Sequence, residues 1–311
     1  EFTLFDNVID GAVDYYIKDT SDLIFDRRIG PSIGDALITS NEGGLRNSGL
    51  EFDFTGHIIN NKNFKLDLSL NGEVLNNELT LMPIEPSTGI PKLLDQDGNY
   101  GRSKGYSLYD FYLREWAGVD SANGNALWNQ YYHDANDNGT VDAGEGISSL
   151  TPYQAENPDN KISKTTTTVY SDATEKYIEK SIIPVVRGAF NLKAKVYGFD
   201  ISTQFAYSLG GYSYDARYAG LLSNSQAGAS QYSTDIRNSW KQPGDVTDIP
   251  LLQSGVNPQV NSASSRFVTS TDYLALNNVR VGYTIPEKFI TKTGLSSVNL
   301  WLSGDNLFLL S

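Results

Sequence analysis

The chain has 311 residues, and its 24 Lys and Arg against 37 Asp and Glu give a formal net charge of −13. This charge argues against a nucleic-acid partner, because no basic surplus is available to displace counterions from phosphates. Cysteine is absent, which excludes disulfides, thiolate metal sites and thiol nucleophiles. Neither of the two histidines, His57 and His133, lies in a nucleophile motif. We therefore expect no enzyme activity and no catalytic residues.

Alternation of polar and apolar residues predicts eight β-strands. In the clearest of them, Phe64 to Val74, leucines fall on one face and charged or amide side chains on the other. The predicted strands cover residues 1–6, 9–18, 50–55, 64–74, 190–196, 199–209, 267–283 and 298–308. The fold class is therefore all-β.

Short and long connections alternate along these strands. The long ones span about residues 19–44, 76–185 and 211–266. In an antiparallel meander every second connection lies at the same end, so all the long loops gather on one side. Short turns at one end and long loops at the other are typical of outer-membrane barrels, whose long loops are extracellular. The pattern predicts a transmembrane antiparallel β-barrel.

Several motifs resemble those of SusC/RagA-type TonB-linked outer-membrane transporters, and they occur in the family's order. They are Phe5–Asn7, Asp14–Tyr16, Asp19–Leu23, Trp240–Asp245 with Thr247–Pro250, Ser265–Phe267, Asp272–Pro286 and Ser303–Phe308. The resemblance covers nearly the whole chain. It implies that residues 1–311 are the C-terminal section of a large barrel, with the plug domain and signal peptide absent from this chain.

This resemblance also implies a function and partners. We expect TonB-dependent import of oligosaccharides or oligopeptides across the Gram-negative outer membrane. The expected partners are outer-membrane lipid, the rest of the barrel and its plug, TonB through the missing N-terminal part, and a SusD-like surface lipoprotein over the long loops. The alternative is a secreted calcium-binding β-sandwich or adhesion module that binds glycans.

One segment of the second long connection matches a calcium-binding loop. Asp134, Asn136, Asn138, Thr140, Asp142 and Glu145 occupy positions 1, 3, 5, 7, 9 and 12 of the pattern, and Gly139 occupies position 6. These oxygen ligands predict one structural Ca²⁺ that pins the loop. The alternative is a solvated turn rich in Asp and Asn, since flanking helices are not obvious.

Aromatic residues in the long connections are candidates for substrate binding. The rings can stack on sugars or on peptide side chains at the outer mouth of the barrel. The alternative is that they pack against one another or against a partner. The candidates are Trp116, Trp128, Tyr131, Tyr132 and Tyr212.

Overall fold

The computed structural model describes residues 1–28, 37–86, 88–223, 231–252 and 259–311. In chain order the strands are β1 (Phe2–Leu4), β2 (Ile9–Arg28), β3 (Leu37–Asn60), β4 (Phe64–Leu81), β5 (Asp95–Asp97), β6 (Tyr100–Arg102), β7 (Asp110–Arg114), β8 (Trp116–Val119), β9 (Ala126–Tyr132), β10 (Gly146–Ile147), β11 (Ser163–Thr167), β12 (Glu175–Ser181), β13 (Val186–Val196), β14 (Phe199–Leu209), β15 (Tyr212–Tyr214), β16 (Val268–Ser270), β17 (Tyr273–Thr284) and β18 (Asn299–Leu310). The α-helices are α1 (Leu150–Glu156), α2 (Ala216–Leu221) and α3 (Glu287–Ile290). The 3₁₀ helices are Tyr170–Asp172, Thr234–Asn238, Ser265–Phe267 and Thr291–Thr293. No helix in the described ranges is long and apolar enough to cross a membrane.

Eight of the strands within the described residues form one antiparallel sheet. Its order is β1-β2-β3-β4-β13-β14-β17-β18, so neighbours in the chain are neighbours in space. Each of the eight predicted strands contributes to this sheet, and the prediction of an all-β meander is confirmed. The segment predicted as one strand over 267–283 is divided between β16 and β17.

The register gives the sheet one apolar and one polar face. A row of apolar side chains crosses six neighbouring strands. Three residues further along the strands, a row on the opposite face carries charges. The apolar row is Phe54, Leu70, Phe190, Phe205, Leu276 and Phe308; the charged row is Asp14, Glu51, Glu73 and Arg187. We call these surfaces the apolar face and the polar face.

The apolar face stays largely exposed. Leu68, Leu70 and Phe199 on this face are 39%, 37% and 48% exposed. A β-sandwich would bury such a face against a second sheet about 10 Å away. The alternative of a soluble sandwich is therefore not favoured by this architecture.

The boundaries predicted for the first long loop, 19–44, differ from those of the structure. β2 continues to Arg28 and β3 begins at Leu37, and the two remain paired at Ile24 and Asn41. The hairpin is extended because Phe25, only 3% exposed, packs with Leu45, Leu79 and Met82. The connection itself, residues 29–36, lies outside the described residues.

The other two long connections are folded. We call residues 82–185 the first excursion and residues 210–272 the second excursion. The first contains β5, β6, β7 and β12 in one small sheet and β8, β9, β10 and β11 in another. The second contains the β15–β16 pair and α2. Both connect strands at the same end of the large sheet, opposite the short turns.

Candidate functional site

The two excursions pack against each other above the sheet. Val260 of the second excursion joins a buried cluster with Trp128, Ala126 and Ala173 of the first. Val268 packs in a second such cluster, with Phe111 and Leu113. Because both clusters combine side chains from the two excursions, these excursions form one joint body rather than two independent loops.

Arg266 lies at the junction of this joint body. Its guanidinium donates hydrogen bonds to the backbone carbonyls of Val260 at 3.0 Å and Asp248 at 2.8 Å. It also lies over the rings of Trp116, at 4.7 Å, and Phe267, at 5.1 Å. Burial lowers the pKa of Arg266 to about 10, so this group stays charged at neutral pH.

The aromatic contact continues from Trp116 into the first excursion. The Trp116 ring meets Trp128 edge-on at 5.7 Å, and Trp128 meets Tyr170 at 5.4 Å. The Arg114 guanidinium lies 4.5 Å from the Tyr170 ring and pairs with Glu175. The stack from Arg114 to Arg266 therefore joins both excursions through three consecutive rings with a guanidinium at each end.

The Trp240 loop, residues 240–250, is anchored on the first excursion. The Trp240 indole N–H donates to the Ser121 carbonyl at 3.1 Å, and the ring occupies the space beside Gly124. Gly124 has a φ of +76°, and an added Cβ would lie 2.5 Å from that ring. Val246, at the tip, is 96% exposed. The motif therefore fixes a rigid loop that projects into solvent.

Two of the five predicted substrate-binding aromatics are buried in the joint body. Trp128 is 2% exposed and Tyr132 is 5% exposed. Their rings have no free face for a ligand in this conformation, which agrees with the alternative of loop packing. Trp116 is half-buried, with one neighbour in Arg266.

Tyr131 and Tyr212 are half-buried and carry lysine ammonium groups over their rings. Lys164 and Lys176 lie 5.6 and 5.7 Å from the centre of Tyr131, and Lys180 lies 4.6 Å from that of Tyr212. Stacking on a sugar would have to displace these cations. A role of Trp116, Tyr131 and Tyr212 in substrate binding stays a prediction.

Glu115 organises the surface around Tyr131. Its Oε2 accepts hydrogen bonds from the Asn129 amide at 2.6 Å, the Tyr131 hydroxyl at 3.3 Å and Lys164 at 3.3 Å. Partial burial by itself would raise the pKa of Glu115, but the Asn129 hydrogen bond and the charges of Lys176 and Lys164 outweigh it and lower the pKa. Glu115 therefore stays ionised and links the β7–β8 connection to β9 and β11.

The predicted calcium loop is closed by its own hydrogen bonds. The two carboxylate oxygens of Asp134 accept from the backbone N–H groups of Asn138 at 2.9 Å and Gly139 at 2.8 Å. Gly139 has a φ of +76°, as the sharp turn at position 6 requires. The Thr140 N–H and hydroxyl both donate to Asn138 Oδ1 at 2.7 Å. These contacts gather the first half of the loop around one point.

The second half of the loop closes onto the first. Asp142 Oδ2 accepts from the amides of Asn136 and Asn138, both at 2.8 Å, and Glu145 accepts from the Ala135 N–H at 3.0 Å. Across the part of the chain that the structure describes, no group of three or more His, Cys, Asp or Glu side chains already has metal-binding geometry. Calcium binding therefore stays a prediction.

The polar face carries a network that the sequence motifs did not indicate. Glu73 accepts hydrogen bonds from Arg187 at 2.8 Å and from the Tyr16 hydroxyl at 3.2 Å, and Tyr16 lies over Gly49. A cleft of about 560 Å³ opens beside these groups. Glu73 and Arg187 are 114 residues apart in the sequence. Their contact could have been predicted only by pairing the strand at 64–74 with the strand at 190–196.

The chain is similar in sequence to known TonB-dependent receptors. The chain is 28% identical over 315 residues to TonB-dependent receptor P3 of Formosa agariphila, a match that covers 99% of this chain and 28% of the relative. It is 26% identical over 301 residues to TonB-dependent receptor SusC of Bacteroides thetaiotaomicron, covering 94% of this chain and 26% of SusC. No family model matches the chain. The chain thus spans less than a third of the length of these relatives.

The fold agrees with solved transporters. The RagAB peptide transporter superposes with a TM-score of 0.74 at 24% identity, over 99% of this chain and 30% of the larger one. The RagAB peptide importer in its closed-closed state gives 0.75 at 23% identity. The fold is that of a section of a large antiparallel barrel wall with its loops. The resemblance to SusC/RagA-type TonB-dependent transporters is confirmed over nearly the whole chain.

Proposed function

We propose that this chain is part of a TonB-dependent transporter that imports nutrients across the Gram-negative outer membrane. The observation that carries the proposal is the similarity to TonB-dependent receptors over 99% of the chain, combined with a wall whose large excursions all lie at one end. The relatives are named receptors and transporters, which also agrees with the expectation that the chain is not an enzyme.

The two faces of the sheet support a position in the membrane. Leu68 and Phe199 are exposed on the apolar face and would contact lipid, which solvates them without cost. Glu73 and Arg187 pair on the polar face, which would line the wet lumen. The excursions would then lie outside the cell, and the short turns would face the periplasm.

The open edges of the sheet support assembly with further barrel strands. Within the described residues, β18 pairs on one side only, with β17, and β2 pairs with β1 only from Ile9 to Gly11. An unpaired backbone N–H or C=O group in hydrocarbon costs on the order of several kcal/mol, because no water is present to accept or donate a hydrogen bond. The proposed neighbours are the remaining strands of the same transporter, which would also supply the plug and the segment that contacts TonB.

The excursions are the proposed contact surface for a SusD-like lipoprotein and for substrate. SusC and RagAB are named among the relatives, and RagAB is described as a peptide transporter. Oligosaccharides and oligopeptides both stay within the proposed substrate class. Of the five candidate aromatic residues, Trp116, Tyr131 and Tyr212 keep part of their surface exposed to meet such a ligand.

We also propose one structural Ca²⁺ in the 134–145 loop. Carboxylates of Asp134, Asp142 and Glu145 would provide charge, and Asn136, Asn138 and the Thr140 carbonyl would complete an all-oxygen ligand set. The hydrogen bonds that already draw Asp142 and Glu145 towards the first half of the loop support this proposal.

Labelling at introduced cysteines tests the membrane topology. The chain has no cysteine of its own, so Val246→Cys in the Trp240 loop and Tyr197→Cys in a short turn give a matched pair, 96% and 75% exposed. In the full transporter, a membrane-impermeant maleimide should label the first in intact cells and the second only after the outer membrane is opened. Equal labelling of both in intact cells would contradict the proposed topology.

Uptake then tests the transport function. Cells that express the full transporter should accumulate a fluorescent oligosaccharide or oligopeptide, and cells that lack TonB should not. Accumulation that is independent of TonB would overturn the proposed function even if the topology is correct.

A further inference from the structure

We infer that His57 is a protonated clamp that joins three strands at the short-turn end of the wall, and that loss of its proton loosens the β1–β2 turn. His57 lies in β3, between β2 and β4. Its Nδ1 lies 2.6 Å from Asp67 Oδ1 of β4, and its Nε2 lies 3.1 Å from Asp10 Oδ2 of β2. The inference goes beyond the proposed transport function and does not depend on it.

The two contacts define the protonation of the ring. A neutral imidazole has one N–H donor and one acceptor nitrogen, and an ionised carboxylate can only accept hydrogen bonds. Both ring nitrogens of His57 face carboxylate oxygens, so both contacts are hydrogen bonds to ionised carboxylates only when each nitrogen carries a proton. A neutral ring would point a nitrogen lone pair at one of the carboxylates. The ring is therefore an imidazolium between Asp10 and Asp67.

His57 is the cation that pairs with these two carboxylates. In the part of the chain that the structure describes, neither Asp10 nor Asp67 forms an ion pair with a lysine or an arginine. Loss of the His57 proton would therefore leave both carboxylates without a paired cation. The other charged groups near the ring are Glu1 in a cleft beside Asp10, Asp53 of β3, Lys65 of β4, and Lys193 of β13, the register partner of Asp67.

The backbone of His57 holds the β1–β2 turn. The His57 N–H donates to the Val8 carbonyl at 2.8 Å, and β2 begins at the next residue. Phe5, Asp6 and Asn7 of this turn have φ values of +56°, +54° and +66°. Such left-handed backbone is uncommon outside glycine, above all for a bulky residue, and it persists only where the surroundings fix it. His57 therefore connects a strained turn, through its backbone, to both flanking strands, through its ring.

The ladder of β3 is irregular directly after His57. The pairing of β3 with β4 skips one residue between His57 and Ile59, so Ile58 forms a β-bulge. A bulge interrupts the backbone ladder and leaves that point less firmly held. The neighbouring rung, Thr55 with Ser69 at 2.9 Å, joins two strands through a neutral hydrogen bond. The two ring contacts of His57 therefore hold three strands where the backbone ladder is weakest.

Nitrogen NMR of the full transporter in bilayers measures the number of protons on the ring. The transporter is labelled with ¹⁵N-histidine, and the difference between its spectrum and that of His57→Gln isolates the two ring signals of His57. At neutral pH both signals should have the chemical shift of a protonated nitrogen. When the pH is raised to about 9, one of them should move to the shift of an unprotonated nitrogen, because histidine titrates in this range.

Hydrogen exchange at the turn measures the effect of the clamp. The exchange rates of the Val8 and His57 amides are divided by those of an unstructured peptide at the same pH. From neutral pH to about pH 9 this ratio should rise about fivefold, because a neutral ring keeps one hydrogen bond and loses the charge that strengthens both partly exposed contacts. His57→Gln should show the faster exchange at both pH values. His57→Arg keeps a cation with several N–H donors and should show the slower exchange at both.

Ser69→Ala provides the matched control, because it removes the neutral hydrogen bond of the neighbouring rung on the same face. It should speed exchange by the same factor at both pH values. Heat-modifiable migration in gels reports whether each variant is folded. If His57→Gln does not fold, Asp10→Asn takes its place, and its response to pH should fall to about twofold because one of the two charged contacts remains.

Three results would overturn the inference. The first is a neutral His57 ring at neutral pH, which would assign the proton to one of the carboxyl groups instead. The second is exchange at the turn that does not respond to pH in the unsubstituted protein. The third is the same pH response in His57→Gln and in the unsubstituted protein. Each of these leaves the proposed transport function intact, because uptake measures that function separately.

Discussion

Replacement of Arg266 by Ala should loosen the joint body formed by the two excursions. The change removes two charge-assisted hydrogen bonds, to Val260 and Asp248, and two cation–π contacts, to Trp116 and Phe267. At about 1–1.5 kcal/mol for each hydrogen bond and about 0.5–1 for each ring contact, the local loss is roughly 3–5 kcal/mol.

Hydrogen exchange in the full transporter detects this loss. A local loss of about 3 kcal/mol raises the open population roughly 150-fold. Backbone amides in β8, β9 and the Trp240 loop should exchange faster by that order, whereas amides of β13 and β14 should not change. Arg266→Lys should give exchange rates between those of the unsubstituted protein and Arg266→Ala, because one ammonium cannot reproduce both the planar stacking and the two hydrogen bonds.

Lys180→Ala provides the matched control, since Lys180 makes one cation–π contact, to Tyr212. Its expected effect is about 0.5–1 kcal/mol, a few-fold in exchange rate. The reasoning fails if Arg266→Ala exchanges like the unsubstituted protein or no faster than Lys180→Ala.

Three further predictions concern the wall, the loop and pH. Leu68→Arg should cost about 2–4 kcal/mol of membrane insertion and Asp67→Arg much less, as measured by folding into bilayers; equal costs would contradict the assignment of the faces. Chelation of calcium should increase protease cleavage within 134–145 while the strands of the large sheet stay intact, and Glu145→Gln should abolish this response. If chelation does not change cleavage of the unsubstituted protein, the segment is a polar turn without bound calcium. The pKa of Glu115 is lowered in the folded state, so ionised Glu115 stabilises the first excursion above the unfolded pKa, and this stabilisation is lost as the pH falls through the folded pKa. Hydrogen exchange of the first excursion should therefore speed up in acid, and Glu115→Gln should remove this pH dependence. The same pH profile in both proteins would refute the prediction.

Local sequence was sufficient for the strands of the wall. In Phe64 to Val74 the alternation predicts which side chains lie on the apolar face and which lie on the polar face, because successive residues of a strand point to opposite faces. The sequence predicted the ends of the strands less well. β2 runs to Arg28 because Phe25 is buried by Leu79 and Met82, residues that lie far along the chain.

The sequence by itself determined the all-β meander, the alternation of short and long connections and the family motifs, since each depends on neighbouring residues. Tertiary structure decided which aromatic residues remain accessible. Trp128 and Tyr131 lie in the same strand and look alike in the sequence, but Trp128 is buried in a cluster with Val260 of the other excursion. It also decided that Lys65 meets Lys195, 130 residues later. Register between distant strands is set by how whole faces are buried, and no local pattern carries that information.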